Sequence, residues 1–155
     1  MEYGIIEREF HIDASPEVVF EVISSPTHIR EWWNAEADLE PVAGATGELV
    51  WGDPCREDAH VARLTVVEAE RPRLFSFRWV YADDAQPTSG NSLLVTMTLV
   101  PTDEGTTVRL TETGFRERGW EAAVLEQQYN EHVVGWDTHF AGGLRTYLTK
   151  LVTAP

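Results

Sequence analysis

Two charged residues of opposite sign occupy positions that the sequence pattern turns inward. Arg8 and Glu112 each fall in register with the apolar residues of a predicted strand. The residues that share these registers are Ile6, Phe10 and Ile12 in the first strand, and Val108 and Leu110 in the last. Because an unpaired ion inside a protein is very costly, each charge needs a partner. The two side chains are candidates for a polar anchor of a ligand head group, for a structural ion pair, or for strand ends that reach solvent.

Histidines and acidic residues are the next groups that could bind a metal or move a proton. His132 and His139 are two turns apart on a predicted helix, whereas helical metal sites favour pairs spaced i, i+4. His60, Asp53 and Asp58 are close in sequence but match no metal-binding pattern. We therefore expect these five side chains to lie on a solvated surface, and we predict no bound metal.

A single cysteine, Cys55, stands beside Arg56, and a neighbouring cation can make a thiol more reactive. Nucleophilic catalysis would also need a base and an oxyanion site, and the sequence offers neither in a recognisable form. It contains no nucleophile elbow, glycine-rich phosphate loop or dinucleotide fingerprint. We therefore interpret Cys55 as an incidental free thiol and predict no catalytic residue and no cofactor.

Composition restricts the partners and the compartment. The 155 residues suit one domain spanning the whole chain, 1–155. A formal charge of −14 disfavours nucleic acid and anionic membranes, both of which reward clustered Lys and Arg. The chain has no apolar run long enough to span a bilayer and no signal-peptide pattern at its start. With one cysteine it has no disulfide framework, and we expect a cytoplasmic location.

The elements that must position these residues can be read from periodicity and caps. Alternation predicts a first strand at 6–12, after which Ser15, Pro16 and Glu17 favour the start of a short helix. Pro26 opens a second short helix that ends near Trp33. The remaining predictions are strands at 48–51, 60–69, 74–81, 93–100 and 106–113 in an antiparallel meander, a possible short helix at 117–128 and a long helix at 130–152.

Aromatic residues gather on one face of the strand at 74–81 and on the apolar stripe of the long helix, which we predict to consist of Val133, Trp136, Phe140, Leu144, Tyr147 and Leu151. They could wall an apolar pocket, or they could fill a solid core; the pattern alone leaves both open. Gly135, Gly142 and Gly143 in the long helix suggest a bend or a close backbone approach, or are merely tolerated. The candidate residues of a cavity are Arg8, Trp33, Trp51, Phe75, Phe77, Trp79, Tyr81, Glu112, Trp136 and Phe140.

Several motifs together resemble a known superfamily. They are Ala14-Ser15-Pro16 before Val18-Val19-Phe20, the pair Trp32-Trp33, the dipeptide Gly135-Trp136, and Tyr147-Leu148 near the end. This order resembles the START-like superfamily and, within it, the branch named for the heat-shock-protein-90 ATPase activator. The resemblance implies an α+β helix-grip fold, in which a curved antiparallel sheet wraps a long C-terminal helix and two short helices follow the first strand. It also makes the first and last strands neighbours, so that Arg8 and Glu112 could pair.

The resemblance leaves three functions to weigh. Relatives bind lipids, polyketides or other hydrophobic molecules, and our leading hypothesis is a binding protein for a small hydrophobic molecule. The second is a cyclase- or aromatase-like enzyme that uses the same cavity. The third is a co-chaperone-like interaction module with an exposed patch around Trp32, Trp33 and Trp120. The chain shows no counterpart of the extra amino-terminal domain of the eukaryotic co-activator, which disfavours a chaperone partner. Surplus aromatic residues also make a homodimer plausible.

Overall fold

The computed structural model of the protein describes residues 4–51, 60–80, 92–115 and 120–153. Its strands are β1 (Ile5–Ile12), β2 (Ala35–Asp38), β3 (Thr46–Trp51), β4 (His60–Glu70), β5 (Leu74–Val80), β6 (Leu93–Pro101) and β7 (Thr106–Thr113). Its helices are α1 (Pro16–Ser24), α2 (Pro26–Trp33), α3 (Ala122–Trp136), a π-helical segment (Asp137–Leu144) and α4 (Arg145–Thr153). The last three follow one another without a break. The α+β helix-grip fold predicted from the sequence is confirmed.

The strands form one antiparallel sheet of seven strands in the order β1-β7-β6-β5-β4-β3-β2. The first and last strands in sequence are therefore neighbours, with Ile6 opposite Glu112 and Arg8 opposite Leu110. The edge strand β2 follows α2 directly and pairs with β3; the sequence pattern of alternation did not predict it. Because β1 and β7 alternate between buried and more exposed residues, one face of the sheet points toward the helices.

Both short helices begin where the sequence predicts, and α2 also ends at the predicted residue, Trp33. The Ser15 hydroxyl accepts a hydrogen bond from the Val18 amide at 3.3 Å, and Pro16 occupies the first turn, where its missing N–H costs nothing. Pro26 likewise occupies the first turn of α2, although the Ser25 side chain makes no cap hydrogen bond there, and α2 stops at Asn34, which adopts a left-handed conformation. The proline-initiated helix α2 thus places Trp32 and Trp33 in the core.

The C-terminal helix differs from its predicted form in length and in winding. It is continuous from 122 to 153, whereas we predicted a break near residue 129. Its most deeply buried residues recur every four positions, at Trp136, Phe140, Leu144 and Leu148. In an α-helix, a step of four residues overshoots a full turn by about 40°, and in the wider π-helical segment it falls short of one, so the two deviations offset each other and the four residues stay on one face. Leu151, which we placed in the apolar stripe, is consequently 39% exposed.

One glycine permits a close approach between this helix and α2. A Cβ added at Gly143 would lie 2.6 Å from the Trp32 carbonyl oxygen, too near for any side chain. The same atom at Gly135 would meet nothing within 4 Å, and at Gly142 it would make only an ordinary contact. The predicted close approach is therefore confirmed at Gly143 alone.

The core lies between the inner face of the sheet and the helices. Its largest fully buried side chains include Phe20, Phe75, Phe115, Phe140 and Met97. None of the helices in the described ranges combines the length and the apolar character that crossing a bilayer requires.

Candidate functional site

A buried carboxylate holds three elements together at one end of this core. Glu112 of β7 is fully buried, and its Oε2 accepts a hydrogen bond from Trp79 Nε1 at 2.8 Å. Its Oε1 accepts one from Trp136 Nε1 at 2.8 Å and lies 2.8 Å from His132 Nδ1. The contacts join β7 to β5 and to α3, so Glu112 has the partners that a buried charge requires.

The chemistry of the partners defines the role of Glu112. An indole N–H can only donate, so Trp79 and Trp136 both need an acceptor once they are buried. An ionised carboxylate accepts through both oxygens, and bonds to such a group are stronger than bonds between neutral groups. His132 can act as a third donor when its proton is on Nδ1. The arrangement is therefore a buried carboxylate whose hydrogen bonds fix the orientation of two indoles and an imidazole.

The position of His132 corrects the sequence analysis. We expected a solvated surface, but His132 is only 5% exposed and lies within the core. The signal that could have revealed this is its spacing, because His132 is four residues before Trp136 and shares its helical face. His139 is half-buried, and this burial lowers the pKa of its imidazole below the ordinary value. Cys55, Asp53, Asp58 and the side chain of His60 lie outside the described residues.

An aromatic cavity adjoins the buried carboxylate. Its volume is about 140 Å³, and the described residues that line it are Trp33, Trp51, Trp79, Glu131, His132, Gly135, Trp136 and His139. Of these, Glu131 is exposed and Gly135 and His139 are half-buried, so the cavity opens to solvent beside α3. The ring centroid of Trp33 lies 5.5 Å from that of Trp51, 5.6 Å from Trp79 and 5.3 Å from Trp136. Four indoles thus make a nearly continuous wall.

The other aromatic residues predicted to line the cavity lie in the buried core or outside the described residues. Phe75, Phe77 and Phe140 belong to the buried core and are not among the described residues that line the cavity. Phe140 packs against Phe10 with ring centroids 4.9 Å apart. Tyr81 lies outside the described residues. The structure therefore brings Trp33, Trp51, Trp79 and Trp136 together, with Glu112 in contact with two of them.

The pairing predicted between Arg8 and Glu112 is not what the structure shows. Arg8 Nε donates to Asp137 Oδ1 at 2.7 Å, and Nη1 donates to the Glu7 carbonyl oxygen at 2.7 Å. Arg8 lies on an edge strand, close to Asp137 at the start of the π-helical segment. The partners of Glu112 on the C-terminal helix are instead His132 and Trp136. The hydrogen bond to Asp137 raises the pKa of Arg8 further above its ordinary value.

Replacing Arg8 with leucine should therefore be nearly neutral. The side chains of Arg8 and Asp137 are 33% and 52% exposed, and pairs of this kind contribute at most about 1 kcal/mol. We expect the free energy of unfolding, measured by urea denaturation, to fall by less than about 1 kcal/mol. Arg109→Leu is the matched control, because Arg109 makes a similarly exposed pair with Glu9 from the neighbouring strand. A loss for Arg8→Leu far above that of the control would show that Arg8 supports the core.

The exposed apolar patch expected of an interaction module is not found at Trp32 and Trp33. Trp32 and Trp33 are 2% and 5% exposed, and the Trp32 indole N–H donates to the Val22 carbonyl oxygen at 3.0 Å. Trp120 is partly buried and packs against the core. The prediction of an exposed patch around these residues is therefore wrong for Trp32 and Trp33.

The structure brings together one group of possible metal ligands that the sequence did not predict. Ligand atoms of His11, Asp13 and Glu104 lie within 4.8 Å of one another, and all three residues are exposed. His11 and Asp13 belong to the end of β1 and its following turn, and Glu104 to the turn between β6 and β7. Exposed groups of this kind are common on acidic surfaces, and we assign no metal to them.

The sheet, the closing helix and the cavity between them define a helix-grip protein. More narrowly, the chain belongs to the family described as activator of Hsp90 ATPase homolog 1-like proteins, whose sequence pattern matches residues 13–149. The fold of this family fits a ligand-binding or cyclase-like role. A comparison with curated proteins gives no match.

Solved structures of distant relatives share the fold. A Mesorhizobium loti protein is similar with 24% identity and a TM-score of 0.74, over 94% of this chain and 97% of its own. A Bacillus halodurans protein has 24% identity and a TM-score of 0.66, over 93% and 96% of the two chains. DynU16, a protein in the dynemicin biosynthetic locus, has 21% identity and a TM-score of 0.70, over 94% of this chain and 47% of its own. At these identities the likeness concerns the fold alone.

Proposed function

We propose that this protein binds a small apolar molecule in the indole-walled cavity between the sheet and α3. The observation that carries the proposal is the cavity itself, which four tryptophans line and which opens beside Glu131, Gly135 and His139. Ligand sites are usually apolar hollows with a few placed polar groups, and His132 and Glu131 supply such groups here. Because Glu112 fixes two of the indoles and His132, most of the wall is organised before a ligand arrives.

The volume favours a compact ligand over a long one. At about 140 Å³ the cavity is smaller than the roughly 300–1,000 Å³ of typical drug-sized sites. It is similar to an engineered cavity of about 150 Å³ that binds benzene. We therefore favour a single ring or a short branched group as the bound part. Very small ligands gain at most about 1.5 kcal/mol per non-hydrogen atom, so we expect dissociation constants between micromolar and millimolar.

A cyclase-like reaction is the second candidate, and one observation favours it. His132 lines the cavity while its Nδ1 lies 2.8 Å from the Glu112 carboxylate, an orientation that suits a histidine for proton transfer. This candidate predicts that the ligand is converted and not only held. Mass spectrometry of a ligand recovered after incubation distinguishes the two functions, because a binding protein returns it unchanged.

Closing the mouth of the cavity should weaken binding strongly without damaging the fold. Gly135 lines the cavity, and a side chain added there meets nothing nearby, so Gly135→Leu places an apolar group at the opening. Leucine also favours the helix over glycine. We expect the affinity for toluene, measured by quenching of tryptophan fluorescence, to fall at least about tenfold, a factor that corresponds to 1.4 kcal/mol.

The neighbouring residue provides the matched control. Val134 is 64% exposed and is not among the described residues that line the cavity, so Val134→Leu should leave toluene affinity unchanged. Palmitate serves as a second probe, and we expect it not to compete with toluene because the cavity is too small for an acyl chain. Equal toluene affinity in the wild type, Gly135→Leu and Val134→Leu would place the binding elsewhere and refute the proposal.

A further inference from the structure

The side chains around the cavity determine which charge a ligand can carry there. Among the described residues that line it there is no Lys or Arg, while Glu131 places a carboxylate at the opening. His132 adjoins the fully buried Glu112 carboxylate, and the half-buried His139 has a lowered pKa, which favours its neutral form at pH 7. The whole chain carries a formal charge of −14. An anionic ligand would thus meet acidic surroundings and no lysine or arginine of the described wall.

Three of the four lining indoles have their N–H groups bonded within the protein and offer no donor to an anion. Trp79 and Trp136 donate their N–H groups to Glu112, and Trp51 donates its N–H to the Trp33 carbonyl oxygen at 3.0 Å. These three hydrogen bonds occupy the positive edges of the rings within the protein. What Trp51, Trp79 and Trp136 can offer a ligand is therefore carbon surface, and the face of an aromatic ring carries a negative quadrupole.

We propose that the preferred occupant of this cavity is the head group of an organic cation, specifically a quaternary ammonium group. The inference rests on the proposed function, and it names the ligand class of that same site. Aromatic faces attract methylated ammonium groups through cation–π interactions, and a nearby carboxylate adds to the attraction. A quaternary ammonium group has fewer non-hydrogen atoms than benzene, so it fits the available volume.

Choline and its neutral carbon isostere test the charge preference directly. In the isostere a tert-butyl group replaces the trimethylammonium group, so the two probes have the same shape and differ in charge. Both are titrated by isothermal calorimetry at constant ionic strength, with toluene as the reference ligand. We expect choline to bind about tenfold more tightly than the isostere, as a partly desolvated cation–π contact permits.

A pair of isosteric variants tests the contribution of the carboxylate at the mouth. Glu131→Gln should weaken choline binding about threefold more than it weakens toluene binding, because it removes a charge beside the cavity. Glu126→Gln removes the same charge from an exposed position of α3 that is not among the described lining residues. It should change neither affinity.

The outcomes separate this inference from the proposed function. If the isostere binds as tightly as choline, or if toluene alone binds, the cation preference is wrong and the apolar binding site stands. If choline, isostere and toluene all fail to bind, both proposals fall. Equal weakening of choline by Glu131→Gln and Glu126→Gln would also overturn the inference, since it would show long-range attraction and not a local contact.

Discussion

Replacing Glu112 with leucine is expected to lower the free energy of unfolding by about 3–5 kcal/mol. The substitution removes the acceptor of two indole N–H groups and of His132, and it leaves these groups buried. Each unsatisfied buried donor costs about 1–3 kcal/mol, which the added apolar contacts of leucine offset only in part. Urea denaturation followed by circular dichroism measures the change. Glu112→Gln should also be costly, because its amide group turns a donor toward donors.

An exposed glutamate on the adjacent strand is the control for this prediction. Glu9 pairs with Arg109, both side chains are more than half exposed, and Glu9→Leu should cost less than about 1 kcal/mol. A double variant adds a sharper test, because His132→Leu combined with Glu112→Leu removes donor and acceptor together. We expect the double variant to cost about 0.5–3 kcal/mol less than the two single changes added. Additive losses, or a stable Glu112→Leu protein, would contradict the network.

Gly143→Ala and Gly135→Ala should change stability in opposite directions although both lie in the C-terminal helix. At Gly143 the new Cβ would come 2.6 Å from the Trp32 carbonyl oxygen, so the helix and α2 must separate. Such overpacking costs about 1–3 kcal/mol. At Gly135 the Cβ meets nothing within 4 Å, and alanine should gain up to about 1 kcal/mol from helix propensity. Thermal unfolding of the two variants beside the wild type measures both effects.

The consequence of Gly143→Ala should extend to the cavity. Trp33 follows Trp32 directly and lines the cavity, so moving the end of α2 displaces one indole of the wall. We therefore expect weaker toluene binding as well as lower stability. If Gly143→Ala were as stable as Gly135→Ala, the close approach between the helix and α2 would not be a feature of the folded protein.

Much of the fold could be predicted because its signals are local. Ser15, Pro16 and Pro26 determine helix starts through caps and a fixed φ angle, and alternation indicates β1 and β5. Strand β2 was missed because it is short and pairs only with β3. The phase of the C-terminal helix was also missed, since regular α-helical spacing does not predict a π-helical turn.

The site was predictable in its aromatic residues and not in its polar connections. Trp79 and Trp136 could be placed on inward faces from periodicity alone. Which charge meets which depends on the rotation of the helix over the sheet, and this rotation brings His132 to Glu112 and Asp137 to Arg8. The alternation pattern places both Arg8 and Glu112 on the inward face of the sheet, but it does not predict how the helix is rotated over that face.

The most direct test of the binding site is a titration of toluene into isotope-labelled protein, followed through the indole N–H signals of its six tryptophans in NMR spectra. Trp→Phe variants assign the signals. We expect saturable shifts for Trp33, Trp51, Trp79 and Trp136, which line the cavity, and none for Trp32 and Trp120, which are not among its described lining residues. Shifts confined to Trp32 or Trp120, or no shift in any signal up to the solubility of toluene, would contradict it.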